Sequence, residues 1–370
     1  MSRHEGRVAL TSFRRAGDAV RQDANAVVLP AGRQFGDREE AHQVATLVPA
    51  AQAAQGPPLT PRSPAGEVVM AYLREQVAGI ARYDPLLRRD EPDAVHQMRV
   101  ATRRARSALE AFGGIIEREA TRPLCAELKW LATAVGQVRD DEVLLARLMA
   151  ELATIPPALV VGRVDAQISA YFTAQLTQAR LTAIGVLDGQ RYRQLLDDLD
   201  SLLTDPPLTS QAKRQAGKVL ARPVRRAERR LQRALAAVPD AEDRDAAIHQ
   251  ARKAAKRARY AAEAAAPALG DAARRLATSA KELQELLGDH HDSVVARAVL
   301  LELAATARAA GQDTFTYGLM HRSQACHAAE IERALPRSWS SYRVGGSRRD
   351  VGLYGNRRGP GTLAVETLPR

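Results

Sequence analysis

Between Glu67 and about Pro336, apolar residues recur every three to four positions almost without interruption. That period predicts a succession of amphipathic helices with no strands between them, an all-α fold. Helices are expected near 67–83, 93–117, 121–136, 141–154, 158–184, 190–204, 209–238, 245–268, 271–287, 292–310 and 313–335. Their ends are marked by Asp84-Pro85, Glu91-Pro92, Arg122-Pro123, Pro156-Pro157, Gly189, Pro206-Pro207, Pro239-Asp240, Gly270 and Gly311. Pro223 falls inside one of these helices and should kink it or begin a new one. Residues 1–65 show no sustained period and close on QGPPLTPRSP, which reads as a linker; the short AVVLP stretch is at most a strand remnant. The segment 337–370, Gly- and Arg-rich over 343–370, is expected to be disordered.

The helical pattern contains a copy of itself. Residues 96–110 read HQMRVATRRARSALE and residues 249–263 read HQARKAAKRARYAAE, an offset of 153 residues. His96 pairs with His249, Arg99 with Arg252, Arg103 with Lys256, Arg104 with Arg257, Arg106 with Arg259 and Glu110 with Glu263. At about 100° per residue, His96, Arg99, Arg103 and Arg106 fall within roughly an 80° arc. Ala101, Ala105, Ala108, Leu109 and Phe112 gather on the other side. In the second copy His249, Arg252, Lys256 and Arg259 form the cationic stripe, opposite Ala251, Ala254, Ala258, Ala261 and Ala262. Each helix should bury small residues and present a row of cations, spaced as a linear polyanion would need. A solvated charged face is the bland alternative, but solvation alone does not require the same residue types in register.

The repeat extends further. LKWLATAVGQVRDDEVLLARL (128–148) aligns with AKELQELLGDHHDSVVARAVL (280–300), matching Lys129 with Lys281, Gly136 with Gly288 and Asp140 with Asp292. Both halves therefore run basic helix, Lys-bearing helix, Gly, Asp, helix. The period is too long for a solenoid unit and fits a duplicated bundle: one domain over 66–336, with halves of about 66–188 and 209–336 joined by 189–208.

Composition narrows the class of partner. The chain has 370 residues, ample for a core, and only 4% of them are aromatic, which suits closely packed helices. A net charge of +11 points to a polyanion: nucleic acid, an anionic membrane surface or inorganic phosphate chains. Cys125 and Cys326 are the only cysteines and form no CxxC pair, so a reducing cytosol is expected. No apolar run approaches the ~20 residues of a membrane span, and the N-terminus lacks a signal-peptide core.

Gly136 and Gly288 are expected to close helices in the left-handed conformation, placing Asp140 and Asp292 where the next helix restarts. Those aspartates then either cap backbone amides or orient a neighbouring Arg or His, roles that can coexist. His290-His291-Asp292 has the look of a metal-binding pair. A metal site needs three or four converging ligands, however, and the repeated histidines sit among arginines that repel a cation. No metal, cofactor or catalytic group is therefore expected; no GxSxG or P-loop occurs, and neither cysteine lies in a repeated segment. The helix at 209–238 adds a secondary basic face of Lys218, Arg222, Arg225 and Arg229, which would line a groove if it packs beside the second basic helix.

At VHQMRVATRRARSALEAF (95–112), VGQVRDDEVLLARL (135–148), IHQARKAAKRARYAAEA (248–264) and LGDHHDSVV (287–295), the chain resembles the CHAD family, the conserved-histidine α-helical domain, over about residues 66–336. The resemblance implies two helical-bundle halves about a pseudo-twofold axis, with inorganic polyphosphate bound in a basic central groove and the protein associated with cytoplasmic polyphosphate granules and their proteins. Carried onto this chain, the implied ligands are His96, Arg99, Arg103, Arg106, Lys129 and Arg139 in the first half. In the second half they are His249, Arg252, Lys256, Arg259, Lys281 and His291. Arg139 and His291 are matched positions with different side chains, so the half-sites differ chemically. Some members also carry an N-terminal CYTH domain, a triphosphate hydrolase; residues 1–65 are too short for it and hold no Glu-x-Glu-x-Lys, so that activity is not implied. The rival readings are a nucleic-acid-binding helical module, which the charge fits equally well, a metal-dependent phosphatase, and a scaffold whose basic faces merely adhere to anionic particles.

Overall fold

The computed structural model describes residues 58–345, and within them all regular elements are helices, so the all-α expectation holds. They are α1 (Ala65–Arg88), α2 (Ala94–Ala111), α3 (Arg118–Ala134), α4 (Gly136–Leu152), α5 (Val164–Asp188), α6 (Gln190–Thr204), the one-turn α7 (Ala216–Val219), α8 (Ala221–Ala236), α9 (Arg244–Leu269), α10 (Asp271–Ala309) and α11 (Phe315–Gly345). Short 3-10 turns occupy Pro157–Leu159 and Ser210–Lys213. The strand remnant, the linker up to residue 57 and the tail after 345 lie outside the described residues; the described part of the expected linker is packed, with Pro61 O and Ser63 O accepting from Gly217 N and Ala216 N, and residues 337–345 of the segment expected to be disordered are helical.

The internal repeat is visible in the packing. α1 lies on α2 as α8 lies on α9; α2 lies on α3 as α9 lies on α10; α4 lies on α5 as α10 lies on α11. The two halves meet where α2 and α9, the twin basic helices, pack together. Their small-residue faces are buried mainly inside their own halves: a Cβ on Gly79 of α1 would come 3.1 Å from Ala101, and Ala251, Ala254 and Ala258 pack with Leu231, Leu235, Leu283 and Leu287 of α8 and α10, which leaves the cationic sides of α2 and α9 to meet. One apolar cluster runs through Leu73, Met98 and Leu128 in the first half to Ala261, Ala265 and Ala268 in the second. Two smaller clusters join α4 and α5 to α10 and α11, and α8 to α9 and α10.

The stretch between the halves is pinned at both edges. Glu117 N donates to Pro207 O (2.8 Å) and Thr209 N to Ile115 O (2.9 Å); further on, Ala65 N donates to Arg214 O and Ala216 N to Ser63 O, both at 2.8 Å. At the start of α9, Asp243 Oδ1 accepts from Ala246 N (2.9 Å), and Gly270, at φ 64°, separates α9 from α10.

Several boundaries differ from the sequence reading: α1 runs on to Arg88, α2 ends at Ala111 and not near 117, and α5 spans Val164–Asp188 and not 158–184. α10 is a single 39-residue helix, not two helices split at Gly288. Gly136 and Gly288 are absent from the positive-φ residues, so neither closes a helix. Gly136 begins α4 and Gly288 lies inside α10, where burial of Leu283, Leu287, His290 and Ser293 outweighs the ~1 kcal/mol helix penalty of glycine. Proline is tolerated inside α1 (Pro85) and α3 (Pro123), late and early in the helix respectively. α11 runs on to Gly345 instead of ending near 335. Pro223 starts a helix, as one of its two expected roles required: it sits in the first turn of α8, after the break at Leu220.

Candidate functional site

Where α2 and α9 meet, matched residues of the two halves face one another. Lys256 lies among Arg99 and Arg103 of α2, Arg252 of α9 and Asp140 of α4. Arg103, its counterpart, senses Arg99 and Arg252 in turn. Burial first, then Arg252, Arg103 and Arg99, push the Lys256 ammonium down to about 6, against the pull of Asp140. Burial also draws the Arg103 and Arg252 guanidiniums below their ordinary range. All four cations are half-buried, which is neither a solvated stripe nor a neutral core. Nε of Arg103 and Nε of Arg252 are buried without a protein hydrogen-bond partner.

At the far end of each stripe the symmetry is explicit. Arg106 Nε lies 3.5 Å from Glu110 Oε1, and Arg259 Nε lies 2.7 Å from Glu263 Oε1. Glu263 also meets Arg104 across the interface at 3.3 Å, and Tyr260 lies between the Arg104 and Arg259 guanidiniums, 5.8 and 5.6 Å from its ring centre. Arg106 and Arg259 are therefore already paired, while the central four share only partial compensation from Asp140 and Asp292.

Of the two matched glycines, Gly136 makes room for its arginine. Arg99 Nη1 donates to Gly136 O (2.8 Å) and to Asp140 Oδ1 (2.6 Å), with its guanidinium laid against the glycine. A Cβ on Gly136 would come 3.0 Å from Arg99 Cζ; on Gly288 it would stand 3.5 Å from Arg252 Nε, an ordinary contact. Asp292 is the nearest acid to Arg252, mirroring Asp140 beside Arg99. Asp140 thus holds Arg99 by a hydrogen bond, whereas Asp292 is only a charged neighbour of Arg252. Neither caps a helix, because α4 already begins at Gly136 and Asp292 is inside α10. Gly136→Ala is expected to weaken anion binding several-fold by displacing Arg99. Gly288→Ala is expected to leave binding within about twofold and to raise stability by up to about 1 kcal/mol in thermal unfolding.

The histidines flank this cluster. His249 and His291 stack with ring centres 4.6 Å apart, and His96 lies by Arg139, the residue matched with His291. Burial leads in each case. With Lys253, Arg252 and Lys256 it pushes His249 down to about 4; with Arg252, His249 and Lys256 it pushes His291 down to about 3. His96 is lowered as well, by burial and then Arg139, Arg103 and Arg99, against Asp93. Successive helix residues point about 100° apart, which splits the His290-His291-Asp292 run. His290 turns inward, 1% exposed, with Nε2 3.2 Å from Glu332 Oε1 and 3.6 Å from Asp245 Oδ1. Those three ligand atoms lie within 4.8 Å of one another and could hold a divalent ion, but Arg297 and Arg244 already pair with the same carboxylates.

The remaining expected ligands lie further out. Lys129 is exposed beside Lys253, and Lys281 is exposed and paired with Glu285 at 3.7 Å. Arg139 pairs with Glu142 at 3.3 Å. Lys218, Arg222 and Arg229 line a depression of about 730 Å³ on the α8 side, and Arg225 does not. The sequence reading leaves Lys253 unmarked and gives Arg257 only as the match of Arg104; both lie just off the cationic arc of α9. It also missed Arg147, which donates to Asp289 Oδ1 (2.6 Å), Ser293 Oγ (2.7 Å) and Gln324 Oε1 (2.8 Å) and so ties α4 to α10 and α11 behind the site.

The model of the CHAD domain family matches residues 71–301. Two uncharacterized proteins of Mycobacterium tuberculosis, from strains CDC 1551 / Oshkosh and ATCC 25618 / H37Rv, are each 38% identical over 284 residues, covering 75% of this chain and 53% of theirs. The chain therefore spans about half the length of these curated relatives. Among solved structures, PptA from Streptomyces chartreusis is similar at a TM-score of 0.64 and 26% identity, over 75% of this chain and 100% of that one. The CHAD domain from the plant Ricinus communis is similar at 0.61 and 27%, over 78% and 95%. Among the described residues no helix is long and apolar enough to cross a membrane. The matched stretch takes in both twin helices, both glycines and the whole cation cluster, and the chain belongs to the CHAD domain family.

Proposed function

We propose that this chain binds inorganic polyphosphate, without turning it over, in a basic groove across the pseudo-twofold axis, and that binding recruits it to cytoplasmic polyphosphate granules. The observation that carries this reading is the meeting of Arg103 with Lys256, and of Arg99 with Arg252, in one half-buried and under-compensated cation cluster. Such a cluster is electrostatically costly by itself and is relieved by an anion. The guanidinium forks suit bidentate contact with phosphate oxygens, and Lys256 supplies a point charge. His96, His249 and His291, neutral in the free protein at pH 7, can offer N–H groups to the same oxygens. Arg106, Arg139, Arg259, Lys129 and Lys281 would steer the chain from the rim. The nearby carboxylates support binding over hydrolysis: Asp140 is held by Arg99, and Asp292 faces Arg252.

The nucleic-acid reading draws on net charge alone. Tyr260, the aromatic closest to the cations, is buried, which leaves no exposed stacking platform on the twin helices. Competition decides between the two. Polyphosphate is expected to displace labelled single-stranded DNA of matched charge at a concentration at least about tenfold lower than unlabelled DNA does. Equal displacement would favour the nucleic-acid module.

A further inference from the structure

The depression on the α8 side is lined by Arg118, Arg214, Lys218, Arg222, Arg226 and Arg229, and Arg233 closes its end. All seven side chains are exposed, and among the described residues the acid that acts on any of them, Glu228 beside Arg229, forms no ion pair with it. Where hydrogen bonds are recorded they go to neutral oxygens: Arg118 donates to Glu110 O, Arg214 to Gln211 Oε1 and Arg233 to Arg229 O. The acid of α8, Glu228, lies off the pocket, half-buried. Its volume of about 730 Å³ matches that of a ligand site. Apart from Gln211, the other lining residues are small or apolar, Gly113, Gly114 and Val219 among them, and no aromatic ring lines it for a base to stack on.

A cationic path joins this pocket to the cluster on the twin helices. Lys253 is the charged neighbour of His249 on one side and of Arg257 and Lys129 on the other. Arg257 in turn neighbours Arg230 of α8, which is drawn down by burial and by Arg226, Arg257, Arg233 and Arg118. Three of those four line the pocket or close its end. From Arg222 to Arg233 the face measures about 16 Å at ~1.5 Å per residue.

We infer that the α8 pocket is a second binding site for the same linear polyphosphate chain, filled by the length that leaves the twin-helix cluster along Lys253, Arg257 and Arg230, so that the protein grips long chains at two places and short chains at one. This rests on the polyphosphate reading above. A compact anion would need only the pocket; the continuous cationic path selects a long one. Tethering the second contact to the first gives it a high effective concentration, so affinity grows with chain length until both places are filled.

The test uses the full chain with Arg222→Gln, Arg229→Gln and Arg233→Gln combined, three exposed positions whose replacement leaves the core untouched. Polyphosphates of about ten and about a hundred phosphates, and single-stranded DNA, are titrated against wild type and variant over a salt series. The expected result is a loss of about tenfold or more for the long chain, with its log–log salt slope shallower by about 2–3, and a short-chain affinity within about twofold of wild type. Equal losses for both chains, no loss for either, or a loss confined to DNA overturns the second site while leaving the first standing. Failure of wild type to bind either polyphosphate overturns the polyphosphate reading itself, and this inference with it.

Discussion

Polyphosphate affinity is expected to rise by up to about tenfold for each unit that the pH falls from about 9 towards 6, and Lys256→Arg is expected to flatten that rise. In the free protein burial, followed by Arg252, Arg103 and Arg99, holds the Lys256 ammonium at about 6, although Asp140 opposes them. Phosphate oxygens placed beside it restore the charged form and move it back towards the ordinary lysine value of about 10.4. Between those two values the complex holds a proton that the free protein lacks. Affinity therefore grows as pH falls through the bound value and levels off near the free one. An arginine stays charged throughout, so its variant has no proton to take up. Histidine titration does not give this profile: His249 and His291, at about 4 and 3 in the free protein, would be restored by phosphate only towards the ordinary value of about 6.5, below most of this window. Calorimetry at several pH values, in two buffers of different ionisation enthalpy, reads proton uptake directly. A flat wild-type profile, or a slope that survives in Lys256→Arg, contradicts the assignment.

The same linkage affects the unliganded fold. The unfolded chain binds the Lys256 proton more tightly than the folded one, so this group lowers stability below pH 6 and at neutrality, and the loss fades as pH approaches 10. Lys256→Met is accordingly expected to raise the melting temperature of the free protein at pH 7 while weakening polyphosphate binding.

Arg103→Ala is expected to weaken polyphosphate binding by about tenfold to a hundredfold, the ~1.5–3 kcal/mol typical of a charge-assisted contact, without unfolding the chain. Arg103 points into the cluster and its Nε has no protein partner, so truncation removes repulsion from the free state and attraction from the bound one. Wild-type affinity should fall steeply with salt, with a log–log slope of about −3 or steeper for the four central cations. In the variant the slope should be shallower by about one. Circular dichroism checks the fold, and a slope near zero in wild type would exclude the cluster as the binding site.

Much of this site can be read from the sequence because it is written twice. His96/His249, Arg99/Arg252 and Arg103/Lys256 recur opposite the small residues that each helix buries in its own half, and the structure places the last two pairs in one cluster. What escaped were features decided by contacts distant in the chain. Gly288 looks like a helix stop, yet α10 runs through it, with the guanidinium of Arg252 passing nearby. His290 and His291 are neighbours in sequence, but one joins Asp245 and Glu332 and the other His249. Arg147 carries no local signal at all; its partners Asp289 and Gln324 lie 142 and 177 positions away. The α8 face was legible as charge, but that Lys218, Arg222 and Arg229 line a pocket and Arg225 does not depends on how α8 meets the α2–α3 turn.

The central claim is that the two halves form one site and not two. A double-mutant cycle on Arg103→Ala and Lys256→Ala, read as polyphosphate affinity, tests it most directly. One shared site predicts that the two losses fail to add by about 1 kcal/mol or more, with a single chain bound per protein. Losses that add within about 0.5 kcal/mol, with two chains bound independently, would contradict it.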